Sequence, residues 1–210
     1  MTAPATTGSE FDRGLLGHRC WLELADGERI ELPVERWAQP SDGDEVLLDA
    51  CTGPTIDVGC GPGRLTAALA ERGVIALGVD SSRTAVRLTR RRGGSALHRD
   101  VFGRVPGEGR WRHALLADGN IGIGGDPAAL LRRAAELIDA DGDVLVELDP
   151  PGGGLRHERV RLRPSQTDAW FSWAWVGADA VTEVAAEADL RVGWTTRRGH
   201  RWFAGLEKPC

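Results

Sequence analysis

Three glycines and an acidic residue stand at a spacing that suits ligand binding by backbone atoms. The stretch TIDVGCGPGRLTAAL, residues 55–69, places Asp57, Gly59, Gly61 and Gly63 at the end of a short apolar run. An apolar strand, a glycine turn and a following helix direct backbone N–H groups toward a pocket at the carboxyl end of the strand. The stretch therefore predicts a small-ligand site at one edge of a parallel sheet.

The glycine spacing distinguishes between kinds of ligand. A dinucleotide fingerprint, G-x-G-x-x-G, needs glycine or alanine where Arg64 or Thr66 stands, so it fails in both registers. The pattern that fits is D-x-G-x-G-x-G, and here the sequence resembles the class I S-adenosylmethionine-dependent methyltransferases, whose first motif often contains the GCGP found at 59–62. The resemblance implies that the glycines let the backbone approach the methionine part of the cofactor and that Asp57 helps to hold its amino group.

Two further acidic residues follow the next predicted strands. The segment VIALGVDSS ends its apolar run at Asp80, and LHRDVF ends at Asp100. The resemblance implies that Asp80 accepts hydrogen bonds from the ribose hydroxyls, and that Asp100 contacts the adenine amino group with Val101 and Phe102 beside the ring. The cofactor is then S-adenosyl-L-methionine, and the residues expected to bind it are Asp57, Gly59, Cys60, Gly61, Gly63, Asp80, Ser81, Asp100, Val101 and Asp118.

The predicted fourth strand, 113–117, leads into DGNIGIGGDP, and in the resembled family this strand end faces the transferable methyl group. Asn120 is therefore a candidate catalytic residue. His157, in the segment after the fifth strand, is a candidate base, with a surface histidine as the alternative; His113 is expected to be structural. The family's [DN]-P-P-[YFW] motif for base or glutamine amines is missing here, which argues against base-amine methylation.

Five tryptophans fall outside the expected cofactor core, in segments that can cover an acceptor pocket. Aromatic walls suit a planar substrate or a cationic amine. Trp173 and Trp175 share one face of a predicted strand, so core packing is the alternative for at least one of them. The five are Trp21, Trp37, Trp170, Trp173 and Trp175.

The surrounding elements fit this site. Residues 21–34 alternate apolar and polar on both sides of Asp26-Gly27, which predicts an N-terminal β-hairpin. From residue 55 onward short apolar runs alternate with helical patterns, which is typical of β-α units on a parallel sheet.

We expect an α/β, Rossmann-like, mostly parallel seven-stranded sheet with an antiparallel last strand and helices on both faces. The predicted division is an N-terminal hairpin extension at 1–43 and an S-adenosylmethionine-binding methyltransferase domain at 44–210. Strands are predicted near 55–60, 74–79, 96–99, 113–117 and 143–148, with two more in a late hairpin around Gly199-His200.

The composition narrows the function classes. Lys208 is the only lysine and tyrosine is missing, which nearly excludes Walker-loop nucleotide binding, Schiff-base enzymes and short-chain dehydrogenases. The net charge of −5 offers no general attraction to DNA or anionic lipid. We expect the arginines at 90–92 to end a helix, and Arg197, Arg198 and Arg201 to be solvated on the late hairpin. No membrane segment, secretory signal or metal site is expected, the cysteines suggest reduced thiols, and the cytoplasm is the expected location.

The sequence therefore predicts an S-adenosylmethionine-dependent methyltransferase that acts on a small molecule. Two alternatives stay open: an RNA or protein methyltransferase that uses the arginine clusters, and a non-catalytic module that binds an adenosine ligand. The acceptor atom, the oligomeric state and the role of the N-terminal hairpin are open at this point.

Overall fold

The computed structural model describes residues 9–164 and 168–209. In chain order the strands are β1 (Trp21–Leu24), β2 (Arg29–Glu31), β3 (Thr55–Val58), β4 (Ala76–Asp80), β5 (Ala96–His98), β6 (Trp111–Leu116), β7 (Ile138–Leu148), β8 (Leu155–Arg163), β9 (Phe171–Val176), β10 (Arg191–Arg198) and β11 (Arg201–Glu207). The α-helices are α1 (Asp12–Leu15), α2 (Val34–Ala38), α3 (Asp44–Ala50), α4 (Arg64–Glu71), α5 (Arg83–Arg91), α6 (Pro127–Leu137) and α7 (Val181–Glu187), with a 3-10 segment at Asn120–Gly125.

Seven strands form the main sheet in the order β10-β11-β7-β6-β3-β4-β5. The pairs from β7 to β5 are parallel, whereas β11 is antiparallel to both β7 and β10. This topology confirms the predicted fold class. Parallel strands have both faces covered, and the centre of β7, at 144–146, is accordingly fully buried.

Helices cover both faces of this sheet. Along β6, Ala114 and Leu116 belong to the apolar cluster that contains α6 and α7, whereas Leu115 belongs to the cluster that contains α3 and α4. The alternation follows from the twofold period of side chains along a strand. Helix α6 begins where the sequence indicates, because the Asp126 side chain accepts a hydrogen bond from the Ala129 N–H at 2.9 Å.

A second, four-stranded antiparallel sheet has the order β2-β1-β8-β9. The predicted hairpin around Asp26-Gly27 forms β1 and β2, with Leu22 opposite Ile30. Strand β8, from a part of the chain more than 130 residues away, pairs with β1 and places Leu162 opposite Leu22. The apolar face of this sheet packs against Val34 and its neighbours in a core of its own.

The late hairpin and the end of α5 also lie where the sequence predicts them. Helix α5 ends at Arg91, and β10 and β11 meet at Gly199-His200. The expectation that Arg201 is solvated is wrong: it is 3% exposed, because Glu147 and Asp44 surround its guanidinium. Among residues 9–164 and 168–209, no helix has the length and apolar character needed to cross a membrane.

Candidate active site

A cavity opens at the carboxyl ends of β3, β4 and β6, and about 1160 Å³ of space, its mouth included, is free of protein atoms there. Each of the three strand-end acids of the sequence analysis, Asp57, Asp80 and Asp100, lines this cavity. The structure thus brings together residues that are separated by up to 43 positions in the chain. The other predicted site residues that line it are Gly59, Cys60, Gly61, Ser81, Val101, Asp118 and Asn120.

The three motif glycines make room for different neighbours. All three have positive φ angles: +70° at Gly59, +54° at Gly61 and +84° at Gly63. A Cβ atom at Gly59 would lie 2.7 Å from the Asn120 side-chain nitrogen, and one at Gly63 would lie 2.6 Å from the Thr89 side chain. At Gly61 the nearest atom, in the Leu15 side chain, would be 3.6 Å away, so of the three glycines Gly61 alone could hold a Cβ at ordinary van der Waals distance. Gly63 does not line the cavity; its missing side chain lets α4 begin against α5.

Asp57 is buried at the end of β3 and its Oδ2 accepts a hydrogen bond from the Thr66 hydroxyl at 2.6 Å. Burial raises the pKa of Asp57 to about 6, even though this hydrogen bond and the charge of Arg64 act in the opposite direction. Because burial disfavours the charged form of Asp57, a cationic ligand beside the carboxylate would stabilise that form.

Asp80 ties the end of β4 to the glycine turn. Its Oδ2 accepts from the Gly61 N–H at 3.0 Å and its Oδ1 accepts from the Ser82 N–H at 2.7 Å. Burial raises the pKa of Asp80, and the two backbone hydrogen bonds partly oppose that rise. Each carboxylate oxygen has a second lone pair, so Asp80 can still accept hydrogen bonds from a ligand.

Asp100 lies at the outer end of the cavity, after β5. Its Oδ1 accepts from the Phe102 N–H at 3.0 Å, which fixes a turn, while Val101 between them is buried and lines the cavity. Phe102, expected beside an adenine ring, is 45% exposed.

Asn120 holds the glycine turn from the opposite side. Its Nδ2 donates to the Val58 carbonyl and to the Gly59 carbonyl, each at 2.9 Å. Both hydrogens of the side-chain amide are thereby used, so Asn120 can offer a ligand only its carbonyl oxygen.

Six charged side chains, four of them buried and two half-buried, form a cluster beside the turn after β6, which we call the arginine–carboxylate cluster. Its members are Arg36, Asp44, Arg64, Asp118, Glu147 and Arg201.

Glu147 is the centre of this cluster. Arg201 donates to both of its carboxylate oxygens at 2.8 Å, and Arg36 donates to its Oε1 at 3.1 Å. Burial alone would raise the pKa of Glu147, but hydrogen bonds and charge from Arg201 hold it below its ordinary value. Glu147 also accepts the Asp118 backbone N–H at 2.8 Å, at a residue whose φ of 53° lies in the left-handed region. Glu147 thereby fixes the strained turn that follows β6.

The Asp118 carboxylate faces this cluster. Its Oδ2 is paired with Arg64, and its Oδ1 is buried without a hydrogen-bond partner, 3.7 Å from Arg36 Nη2 and 3.9 Å from Arg201 Nη2. Asp118 therefore lines the cavity with a carboxylate that is already neutralised by arginine.

Residues 9–38, which we call the N-terminal cover, close one side of the cavity. Asp12 fastens the cover to α5 by accepting hydrogen bonds from the hydroxyls of Ser82, at 2.5 Å, and Thr84, at 2.8 Å. The cover residues that line the cavity are apolar: Phe11, Leu15, Leu32 and Trp37.

The tryptophans divide into two groups. Trp37, from the cover, and Trp173, from β9, line the cavity, whereas Trp21, Trp170 and Trp175 do not. Phe11, Leu15 and Leu32 have no sequence signal for this site, because their place at the cavity depends on the tertiary packing of the cover.

The two histidines of the sequence analysis lie away from the cavity. His157 is exposed on β8 and its Nδ1–H donates to the Gly125 carbonyl at 2.8 Å; it does not line the cavity. His113 is buried at the other end of the sheet, between Asp143 at 2.6 Å and the Thr52 N–H at 3.0 Å, in the structural role that was expected.

Known proteins provide an independent comparison. Residues 56–105, which run from β3 to the turn after β5, match the family model described as a methyltransferase domain. No curated protein matches the chain in sequence.

Solved structures match over nearly the whole fold. A SAM-dependent methyltransferase from Bacteroides fragilis, in complex with S-adenosyl-L-homocysteine, has a TM-score of 0.76 at 19% identity and covers 97% of this chain and 94% of its own. The CcbJ methyltransferase from Streptomyces caelestis has a TM-score of 0.67 at 16% identity, covering 98% and 99%. The 1,6-didemethyltoxoflavin-N1-methyltransferase from Burkholderia thailandensis has a TM-score of 0.61 at 19% identity, covering 80% and 76%.

At these identities the structural likeness establishes the fold. The family match covers the residues that form the glycine turn and all three acid-bearing strand ends, those of Asp57, Asp80 and Asp100. The chain therefore has the class I methyltransferase fold, and residues 56–105 match the methyltransferase-domain model within it.

Proposed function

We propose that the protein transfers the methyl group of S-adenosylmethionine to a small-molecule acceptor. The observation that carries this proposal is the convergence of Asp57, Asp80 and Asp100 on one cavity that Gly61 also lines. A cofactor with an ammonium group, a ribose and an adenine ring presents hydrogen-bond donors that three such carboxylates can accept.

In this proposal the cofactor occupies the half of the cavity next to β3, β4 and β5. Asp57 accepts from the ammonium group, Asp80 from the ribose hydroxyls, and Asp100 from the adenine amino group, with Val101 against the ring. The glycine turn contributes its shape: its N–H groups already donate within the protein, that of Gly59 to the Val79 carbonyl and that of Gly61 to Asp80. Cys60 and Ser81 contribute to the wall, and the sulfonium lies toward Asp118 and Asn120.

The chain's own residues contribute to the transfer by alignment and by exclusion of water. Methyl transfer from a sulfonium is a displacement whose barrier depends on the geometry and desolvation of the reacting atoms. Glu147 and Asn120 hold the turn after β6 and the glycine turn in place, and the apolar cover shields one side of the cavity from bulk water.

The apolar cover residues that line the cavity, Phe11, Leu15, Leu32 and Trp37, suit a small acceptor. We also propose a cytoplasmic location, which is supported by the three free, buried thiols of Cys20, Cys51 and Cys60.

Titration calorimetry with S-adenosylmethionine and S-adenosylhomocysteine tests the cofactor assignment. Asp80→Ala should weaken binding by at least ~1 kcal/mol, because charged hydrogen bonds are lost. Asp143→Ala is the matched control: it also removes a hydrogen-bonded aspartate from the main sheet, but at the opposite end, beside His113. Equal affinity in the wild type and Asp80→Ala would contradict the assignment of Asp80.

A second experiment tests the acceptor class. The protein is incubated with methyl-labelled cofactor and separate small-molecule, RNA and protein fractions of a cell extract. The proposal expects label in a small-molecule product. Label found solely in RNA or protein would contradict it, and a protein that binds the cofactor but transfers no label to any fraction would favour a non-catalytic module.

A further inference from the structure

The acceptor half of the cavity has a continuous aromatic wall. The Phe11 ring lies 6.2 Å from the Trp37 ring and 5.7 Å from the Trp173 ring, centroid to centroid, and each of the three rings lines the cavity. Phe171 supports this wall from behind, 5.7 Å from Phe11 and 6.3 Å from Trp173. The wall combines two distant parts of the chain, the N-terminal cover and β9.

The aromatic wall contains no charged side chain that could pair with a charged ligand. The charged residues that line the described cavity are Asp57, Arg64, Asp80, Arg99, Asp100 and Asp118. The proposed function assigns three of these acids to the cofactor, and Arg99 adjoins one of them, Asp100. Arg64 and Asp118 are paired with each other.

The charges behind the acceptor half cancel. The arginine–carboxylate cluster contains three arginines and three carboxylates, so it has no excess negative charge with which to hold a cation. A cationic acceptor would also lie close to the positive sulfonium of the cofactor, and two like charges repel strongly in a site that excludes water. The electrostatics therefore favour a neutral acceptor over a cationic amine.

Aromatic rings prefer aromatic partners over saturated ones of equal size, because offset and edge-to-face contacts add to the burial of apolar area. We propose, on the basis of the proposed function, that the acceptor is a neutral, planar aromatic or heteroaromatic small molecule that packs against the wall formed by Phe11, Trp37 and Trp173. Trp37 and Trp173 are then the residues that determine acceptor specificity.

Three probes that share one carbon skeleton test this class: 2-naphthol, which is planar and neutral; decahydro-2-naphthol, which is saturated; and trimethyl(2-naphthyl)ammonium, which is planar and cationic. Binding of each probe is measured by ligand-observed NMR titration, with and without saturating S-adenosylhomocysteine. We expect 2-naphthol to bind at least ~10-fold more tightly than either of the other two.

Two matched variants locate the probe site. Trp173→Leu should weaken 2-naphthol binding at least ~5-fold. Trp175→Leu should leave it unchanged, because Trp175 is half-buried on the same strand, stacks on Arg156 at 4.3 Å and does not line the cavity. Calorimetry with S-adenosylhomocysteine verifies that both variants keep a folded cofactor site.

Other results would contradict particular parts of this proposal. Tighter binding of the cationic probe would show an aromatic cage for a cation, and equal binding of the saturated probe would show that planarity is not selected. Failure of all three probes at millimolar concentration, or equal losses in the two tryptophan variants, would overturn the site itself. Failure of S-adenosylhomocysteine to bind would instead refute the proposed function, since probe binding to the free protein is measured separately.

Discussion

The two halves of the cavity are built in different ways. The half that we propose for the cofactor is lined mainly by one continuous stretch, residues 57–101, and its shape is fixed by hydrogen bonds such as those that Asp80 accepts from the Gly61 and Ser82 N–H groups. The acceptor half is assembled from the cover, the 3-10 segment and β9, and it is held by apolar and aromatic contacts. A binding site for a constant ligand can thus be local in sequence, whereas the site for a variable ligand is made by tertiary packing.

The arginine–carboxylate cluster joins chain segments that line both halves. Arg36 belongs to the cover, Arg64 begins the helix after the glycine turn, and Arg201 comes from the last strand of the main sheet. If this connection supports both halves, its loss should have the largest effect on the molecule.

The first prediction removes the most buried arginine of this cluster. Arg201→Leu should lower the free energy of unfolding by about 3–5 kcal/mol, because it leaves Glu147 buried without its main cation and removes one of the two arginines paired with Asp44. Arg191→Leu is the control: its ion pair with Glu207 is exposed, so its loss should cost less than ~1 kcal/mol. Urea denaturation of both variants measures the difference. Equal losses of unfolding free energy in Arg201→Leu and Arg191→Leu would contradict a role of the cluster in connecting the two halves.

The second prediction compares Gly61, which lines the cavity, with Gly63, which packs against Thr89. Gly63→Ala should cost about 3 kcal/mol of stability, because the new Cβ meets both the side chain and the backbone of Thr89 in addition to the left-handed strain. Gly61→Ala should cost about 1 kcal/mol, the strain alone, because its Cβ has room.

The same pair should show the reverse order in cofactor affinity, measured by calorimetry with S-adenosylhomocysteine. Gly61→Ala places a methyl group beside the cavity, whereas Gly63 lies outside it. A Gly61 variant with wild-type affinity would show that the ligand does not approach the backbone at this turn.

The difference between the halves also explains what the sequence could predict. The glycine turn, Asp80 and Asp100 were identifiable because each follows a strand in a regular β-α pattern, and parallel strands bring their carboxyl ends to one edge. The seven-stranded sheet was predictable for the same reason.

The acceptor wall and the cluster could not be predicted in this way. Phe11 lies in a short N-terminal segment with no periodic pattern, and its contacts with Phe171 and Trp173 depend on β1 pairing with β8. Arg201 resembled a surface residue because it follows Arg197 and Arg198 in a hairpin, and its buried partner Glu147 is 54 residues earlier in the chain. Such pairings are determined by packing between distant elements and leave no local signal.

The third prediction uses the buried carboxylate of the cofactor half, Asp57. Its pKa of about 6 in the folded protein exceeds the ordinary value of 3.8, so the folded state binds more protons than the unfolded state between these values. Asp57 therefore favours folding at low pH, and this contribution is lost as the pH rises through about 6. Asp57→Asn keeps an acceptor for the Thr66 hydroxyl and removes the charge, so it should raise the free energy of unfolding by about 2 kcal/mol at pH 8 and by much less at pH 4.

The affinity for the cofactor should depend on pH in the opposite way to the stability contribution of Asp57: it should rise as the pH rises through about 6. In the wild type, affinity for S-adenosylmethionine should fall as the pH drops below about 6, because protonated Asp57 no longer attracts the ammonium group. In Asp57→Asn the affinity should be weaker at pH 8 and nearly constant between pH 5 and 8. Denaturation and calorimetry at the same pH values measure both effects. A variant that gains stability but binds the cofactor as the wild type does would show that the charge at position 57 is not used by the ligand, and that the cofactor half is organised around Asp80 instead.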